Sequence, residues 1–184
     1  MEVASSASAS APASAMEDDL GPPKVLRCRV VPDSLRDQNL KQLKLLNAAI
    51  FPIRYQDKFY KDCMACGEVT QLAYHNDVLV GAIACRLEMK IGGDGARLYI
   101  MTLGVLAPYR ELGIGTHLLE HALGEAMGDP NIEDAYLHVQ TNNDGAIRFY
   151  GRHGFEVTEK ICNYYKRIDP PDCYVLRRHL RRRA

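Results

Sequence analysis

Between Val105 and Thr116 the chain reads VLAPYRELGIGT, with Arg110, Gly113 and Gly115 spaced R-x-x-G-x-G. An apolar run precedes this segment, and a stretch with Leu118, Leu119 and Ala122 at helical spacing follows it. In a strand-to-helix turn of this kind successive backbone N–H groups, backed by a helix N-terminus, converge on one point and bind pyrophosphate. Glycine is needed there because a Cβ would hold the phosphate away and forbid the required dihedrals. Arg110 can neutralise phosphate charge. A lone GxG would read equally well as a tight turn with an exposed arginine. The flanking strand and helix make the longer pattern more specific, and it is neither a P-loop, which needs GK[ST], nor GxGxxG.

Two further side chains are candidates for proton transfer. In AYLHVQ (135–140), Leu137 and Val139 face one way while Tyr136, His138 and Gln140 face the other. His138 is either a satisfied, partly buried strand histidine or a base. Tyr99 has the same two readings, since tyrosine suits strands and its pKa near 10 makes it a weak base alone. The six cysteines are scattered, and only Cys63 and Cys66 have ligand-like spacing, with no second pair to complete a zinc set. No metal is expected, and neither Cys66 nor Cys85 sits in a Cys/His nucleophile signature.

The elements that must position these groups follow from the patterning. VLRCRVV (25–31) predicts a strand. Asp37 or Ser34 can cap a helix with Leu40, Leu43, Leu46 and Ile50 on one face, ended by Phe51-Pro52. A short helix over 57–67 precedes two β segments, TQLAYH and VLVGAIACRLEM, joined by Asn76-Asp77 as a hairpin turn. GGDG (92–95) is a loop, and ARLYIMTLGVL (96–106) is the longest apolar β run. A helix over 114–127, the AYLHVQ strand, a helix over 144–153, the strand FEVTEKI and a last strand near 172–177 complete the order. The sequence β-α-α-β-β-β-α-β-α-β-β specifies a mixed α/β sheet and not a Rossmann repeat.

Composition sets the outer bounds. The 184 residues, 47% hydrophobic and 25% charged, make one globular domain with tails. With 23 basic and 23 acidic residues there is no overall field for nucleic acid, so no specific nucleic-acid partner is expected. Residues 1–23 are Ala/Ser/Pro-rich and acidic, which predicts a solvated tail. A transit peptide would be Arg-rich and poor in acids. Residues 24–176 form the domain, and 177–184 a basic tail equally suited to contact with ribosomal RNA, to a nuclear signal or to a solvated end. No apolar run reaches the roughly 18 residues of a membrane span, so no membrane partner is expected. Unpaired cysteines and the lack of an Asn-x-Ser/Thr site point to a cytoplasmic chain, or also a nuclear one.

The R-x-x-G-x-G loop resembles the acetyl-CoA loop of the GNAT acyltransferases. A second match strengthens this: Asn143, Ala146, Phe149 and Tyr150, then Gly154 and Phe155, follow that family's N-x-x-A-x-x-F/Y-Y…G-F pattern. Taken alone, Phe149 and Phe155 are core aromatics. From Leu40 to about Val175 the chain is similar to the NatE-type N-terminal acetyltransferases, the San (separation anxiety) group. The similarity rests on NLKQLKLLN, IFPIRYQDKFY, LYIMTLGVLAPYRELGIGT, YLHVQTNN and NYYKRIDP.

That resemblance implies a single GNAT domain of the α/β class, a twisted, mostly antiparallel mixed sheet of about seven strands with flanking helices. It implies acetyl-CoA as co-substrate, held by Leu103, Gly104, Val105, Arg110, Glu111, Leu112, Gly113, Ile114, Gly115 and Thr116, with Asn143 and Tyr150 beside the thioester arm. It further implies that Tyr99 and His138 hold a water that deprotonates the amine, and that Phe51, Pro52, Ile53, Tyr55, Tyr164, Tyr165 and Ile168 line a peptide groove. The expected substrates are protein N-termini that keep their Met before an apolar residue. A NatA-like complex and the ribosome are the partners the resemblance suggests. Lysine side-chain acetylation is the nearest rival within the fold. A non-catalytic acetyl-CoA-binding subunit is the rival from another class, and the presence of Tyr99, His138, Arg110, Gly113 and Gly115 speaks against it.

Overall fold

The computed structural model describes residues 29–90, 92, 95–166 and 168–180. The expectations for the acidic tail 1–23, for residues 25–28 of the first predicted strand, for most of the GGDG loop and for residues 181–184 lie outside them. The described elements are β1 (Val31–Ser34), α1 (Leu40–Ile50), α2 (Asp57–Ala65), β2 (Gln71–His75), β3 (Val78–Met89) and β4 (Ala96–Val105). After them come α3 (Ile114–Gly128), β5 (Ile132–Gln140), α4 (Asp144–Arg152), β6 (Glu156–Ile161) and β7 (Cys173–His179). The order of strands and helices is the one the patterning predicts.

Three details differ. The first strand begins at Val31, and Arg29 and Val30 precede it. Its place is set by pairing with β2 (Val31 opposite Tyr74, Ser34 opposite Gln71), and Pro32 is tolerated because β1 is an edge strand. Neither Ser34 nor Asp37 caps α1. The N-cap is Asn39, whose side chain accepts from the Arg36 N–H (2.7 Å) and donates to the Ser34 carbonyl (3.0 Å), closing the turn before the helix. Finally, β7 runs to His179, so Arg177 and Arg178 belong to the sheet and not to the tail. Both face β5 across the ladder, opposite Tyr136 and Ala135.

The seven strands form one sheet in the order β1-β2-β3-β4-β5-β7-β6. Neighbours are antiparallel except β4 and β5, which run parallel. Asn76 and Asp77, both at positive φ, close the tight β2–β3 hairpin. Each face of the sheet carries its own core. On one, Leu118, Leu119, Ala122 and Leu123 of α3 bury against Ile83, Leu98, Ile100, Leu137 and Val139. On the other, Leu43 and Leu46 of α1 and Phe59, Tyr60 and Cys63 of α2 bury against Ala82, Ala84, Tyr99 and Met101. Period-2 alternation along β4 and β5 therefore sends Tyr99 and Tyr136 to the α1/α2 side, and His138 with them. Leu119 is fully buried beneath α3. Leu119→Ala is expected to lower unfolding stability by about 2–5 kcal/mol, read as a lowered urea midpoint at unchanged slope.

Candidate active site

The parallel ladder between β4 and β5 stops at Tyr99 opposite Tyr136, although β4 continues to Val105 and β5 to Gln140. Beyond that pair the two strands part, and their facing edges no longer bond to each other. Main-chain N–H and C=O groups on the β4 edge are left to bond something else. Within β4 the register with β3 slips between Ala84 and Cys85, whose partners are Thr102 and Ile100, so Met101 is an extra residue. This bulge inverts the alternation. Tyr99 and Met101 point to the α1/α2 core, whereas Leu103 and Val105 pack on the α3 side. Gly104 then faces α1, and a Cβ there would lie 3.0 Å from Phe51 Cζ.

At the apex of the parting, His138 Nδ1 and Tyr99 Oη share a hydrogen bond of 3.1 Å. Tyr99 is 1% exposed, and the Arg86 guanidinium carbon lies 5.2 Å from its ring centroid. Burial lowers the proton affinity of His138 below its ordinary value, opposed by the carboxylates of Glu88 and Glu159. The imidazole is therefore neutral near pH 7 and free to accept a proton. Tyr164 stacks on it with centroids 4.6 Å apart and planes 13° apart.

On the α3 side, Val105 leads into a single 3-10 turn at Ala107–Tyr109. Arg110 is exposed there and donates its Nε–H back to the Val105 carbonyl (3.1 Å), and Glu111 takes a positive φ. Gly113 is the N-cap of α3 at φ 86°, a conformation that penalises any Cβ, and no side chain caps the helix. The first N–H groups of α3, at Ile114, Gly115 and Thr116, thus face outward at a positive helix end. Gly115 needs no special backbone: the nearest atom to an added Cβ is Phe149 Cζ at 3.8 Å. The protein itself leaves room for a methyl group there.

Asn143 caps α4, its Oδ1 accepting from the Ala146 N–H (3.1 Å). Tyr150 is 4% exposed between Phe149 and Phe155, and burial pushes its phenol far above the ordinary value, keeping it protonated. Phe155 is core, as its type suggests, and Phe149 packs partly buried against it.

The groove residues gather on the other side. Phe51 is buried and meets Tyr55 edge to face, and Tyr55 stacks on Phe59. Pro52 is exposed. Ile53 packs in one small cluster with Tyr164, Tyr165, Ile168 and Cys173, joining the α1–α2 segment to the β6–β7 loop. That loop is tied to β5 where Gln140 Nε2 donates to the Pro170 carbonyl (2.8 Å) and the Thr141 N–H to that of Asp172 (3.1 Å). It contains a cis peptide at Asp169-Pro170. Tyr165 Oη is buried without a hydrogen-bond partner among the described residues, a group that a peptide can satisfy. Burial raises the thiols of Cys63, Cys66 and Cys85, which keeps them protonated and poor nucleophiles. Sequence reasoning missed Arg86, Glu88 and Tyr136, which crowd Tyr99. Tyr136 shares the outward face of His138, and that was the signal for it.

Residues 36–155 match the acetyltransferase (GNAT) family. The chain belongs to that family. It is 52% identical over 146 residues to the probable N-acetyltransferase san of Drosophila melanogaster, covering 79% of this chain and 78% of that protein. N-alpha-acetyltransferase 50 of Danio rerio is 50% identical over 156 residues, 85% of this chain and 92% of the relative. Among solved structures, Arabidopsis thaliana Naa50 in complex with the bisubstrate analogue CoA-Ac-MVNAL superimposes with a TM-score of 0.76 at 56% identity, covering 81% of this chain and 97% of that one. Within the GNAT family the chain groups with San and Naa50, the NatE catalytic subunits. An acyl-CoA fits what the geometry offers: a helix start that no side chain caps and an adjacent cation, Arg110. Gly115→Ala is expected to leave the melting temperature equal or higher, since alanine favours a helix by about 0.5–1 kcal/mol over glycine. It should raise the KM for acetyl-CoA by about tenfold, the equivalent of 1.4 kcal/mol.

Proposed function

We propose that this acetyl-CoA-dependent N-terminal acetyltransferase acts on polypeptides that retain their initiator Met, preferentially before an apolar residue, with Tyr99 and His138 removing the amine proton. The observation that carries the reading is the Tyr99–His138 pair at the point where β4 and β5 part, on the same sheet face as Phe51, Tyr55 and Tyr164. Leu103 to Thr116, with Asn143 and Tyr150, holds acetyl-CoA, which supplies an acetyl group already activated as a thioester. The peptide amine approaches from the α1/α2 side. His138, through Tyr99 and a water between them and the substrate, takes its proton. N–H groups of Leu103 to Val105 on the parted edge stabilise the developing oxyanion. The buried Tyr150 phenol returns a proton to the departing sulfur.

A modest base is enough for this substrate. A peptide α-amine with pKa near 8 costs only about 1–1.5 kcal/mol to neutralise at pH 7, whereas a lysine amine near 10.4 costs about 5. Phe51, Pro52 and Ile53 form the apolar first-residue pocket, and Tyr55, Tyr164, Tyr165 and Ile168 hold the chain that follows. The Met-Val start of the peptide in the Arabidopsis complex supports the same preference. The resemblance to NatE subunits also supports a cytoplasmic enzyme, present in the nucleus as well, that works beside a NatA-like complex at the ribosome.

Acetyl transfer to two peptides, read by mass spectrometry, tests this. One carries a free Met-Leu N-terminus and no lysine; the other has a blocked N-terminus and an internal lysine. Only the first should be acetylated, and His138→Ala should abolish the transfer. Transfer confined to lysine overturns the proposal. The pH dependence has a definite sign. Burial lowers the folded-state pKa of His138, so the proton-accepting form persists below pH 6.5. An NMR titration of His138 should therefore give a midpoint below 6.5, and a midpoint above it contradicts the assignment.

A further inference from the structure

Tyr136 touches both members of the proposed proton-transfer pair. Its ring lies 4.8 Å from that of Tyr99, at 32°, and 5.9 Å from His138, at 76°. It is also Tyr99's partner in the last rung before β4 and β5 part, so no ladder bond beyond it fixes one strand against the other. Tyr136 is itself held from two elements. Its phenol donates to Glu88 Oε2 on β3. Glu88 in turn accepts from Arg86 Nε (3.0 Å), and Arg86 Nη1 reaches Asp62 of α2 at 3.5 Å. The Arg97 guanidinium carbon lies over the Tyr136 ring at 4.3 Å, and Arg97 is fixed by donating its Nε–H to the buried Asp134 carboxylate (2.9 Å). A half-buried carboxylate and phenol cost desolvation that an apolar pair of similar shape would not. What the polar link adds is a fixed ring angle under Tyr99.

We infer that Tyr136 is a positioning residue for Tyr99 and His138, locked by Glu88. The inference rests on Tyr99 and His138 acting as the base. The charged and titratable groups around the imidazole are Glu88 of β3, Glu159 of β6, Tyr99 of β4, Tyr136 of β5 and Tyr164 of the β6–β7 loop, with Arg86 and Arg97 behind the two tyrosines. Of these, Glu88 raises the proton affinity most.

The test uses the full chain, acetyl-CoA and the Met-Leu peptide, comparing Tyr136→Phe, Glu88→Gln and His138→Ala. Tyr136→Phe should lower kcat by about tenfold, as expected for a reacting group misplaced by a fraction of an ångström. Both KM values should stay within about twofold and the melting temperature should be unchanged. Glu88→Gln, which weakens the hydrogen bond that locks Tyr136, should show the same loss of kcat. Unchanged kcat in Tyr136→Phe, with His138→Ala inactive, overturns the positioning role alone. So does a kcat loss matched by risen KM values and a lowered melting temperature, which marks a merely structural residue. Unchanged kcat in Glu88→Gln overturns the lock on Tyr136. Full activity of His138→Ala overturns the underlying base assignment instead.

Discussion

A parallel pair of strands that separates partway along its length leaves main-chain donors and acceptors in the middle of a sheet. Unmade, each such hydrogen bond costs about 1–3 kcal/mol if it is also cut off from water. Here the separation begins immediately after Tyr99 and Tyr136, and the rest of the site follows from it. The freed β4 edge is a strip of backbone suited to an amide-bearing ligand, and it ends in the turn that exposes the first N–H groups of α3. The side chains at the last closed rung are, for the same reason, the ones nearest to whatever occupies the gap.

The bulge at Met101 then divides the labour between the two faces of the sheet. Without it, Leu103 and Val105 would share a face with Tyr99. With it, they join the α3 core, beside the glycine turn and Tyr150, while Tyr99 and Gly104 stay toward α1. One extra residue thus lets a single strand present Leu103 and Val105 to one side of the sheet and Tyr99 and Gly104 to the other.

Much of this was legible from local pattern. The R-x-x-G-x-G turn, the β hairpin at Asn76-Asp77 and the outward face of His138 depend on neighbours in sequence, so spacing alone located them. The start of β1 within the described residues was not legible, because Arg29-Val30-Val31 continues a β-prone run and only pairing with Tyr74 to Gln71 selects Val31 over Val30. The Asn39 cap was obscured by Ser34 and Asp37, which are equally good cap types. Arg177 and Arg178 read as the start of a basic tail, equally suited to RNA contact, a nuclear signal or a solvated end. In the fold they complete the ladder opposite β5, and Arg178 donates to the His153 carbonyl. The Glu88–Tyr136 link joins residues far apart in sequence, a pairing for which neither periodicity nor motif gives a signal.

The β6–β7 loop is fastened to the strand that carries the imidazole. Gln140 and Thr141, at the end of β5, hold the carbonyls of Pro170 and Asp172, and Tyr164 from the same loop lies flat on His138. One wall of the proposed groove is therefore fastened to the strand that carries the imidazole. The opposite wall, Phe51 to Tyr55, meets it through the apolar side chain of Ile53. The two walls thus belong to separate stretches of the chain, like the jaws of a vice on separate castings, and one can drift in sequence without disturbing the ties of the other.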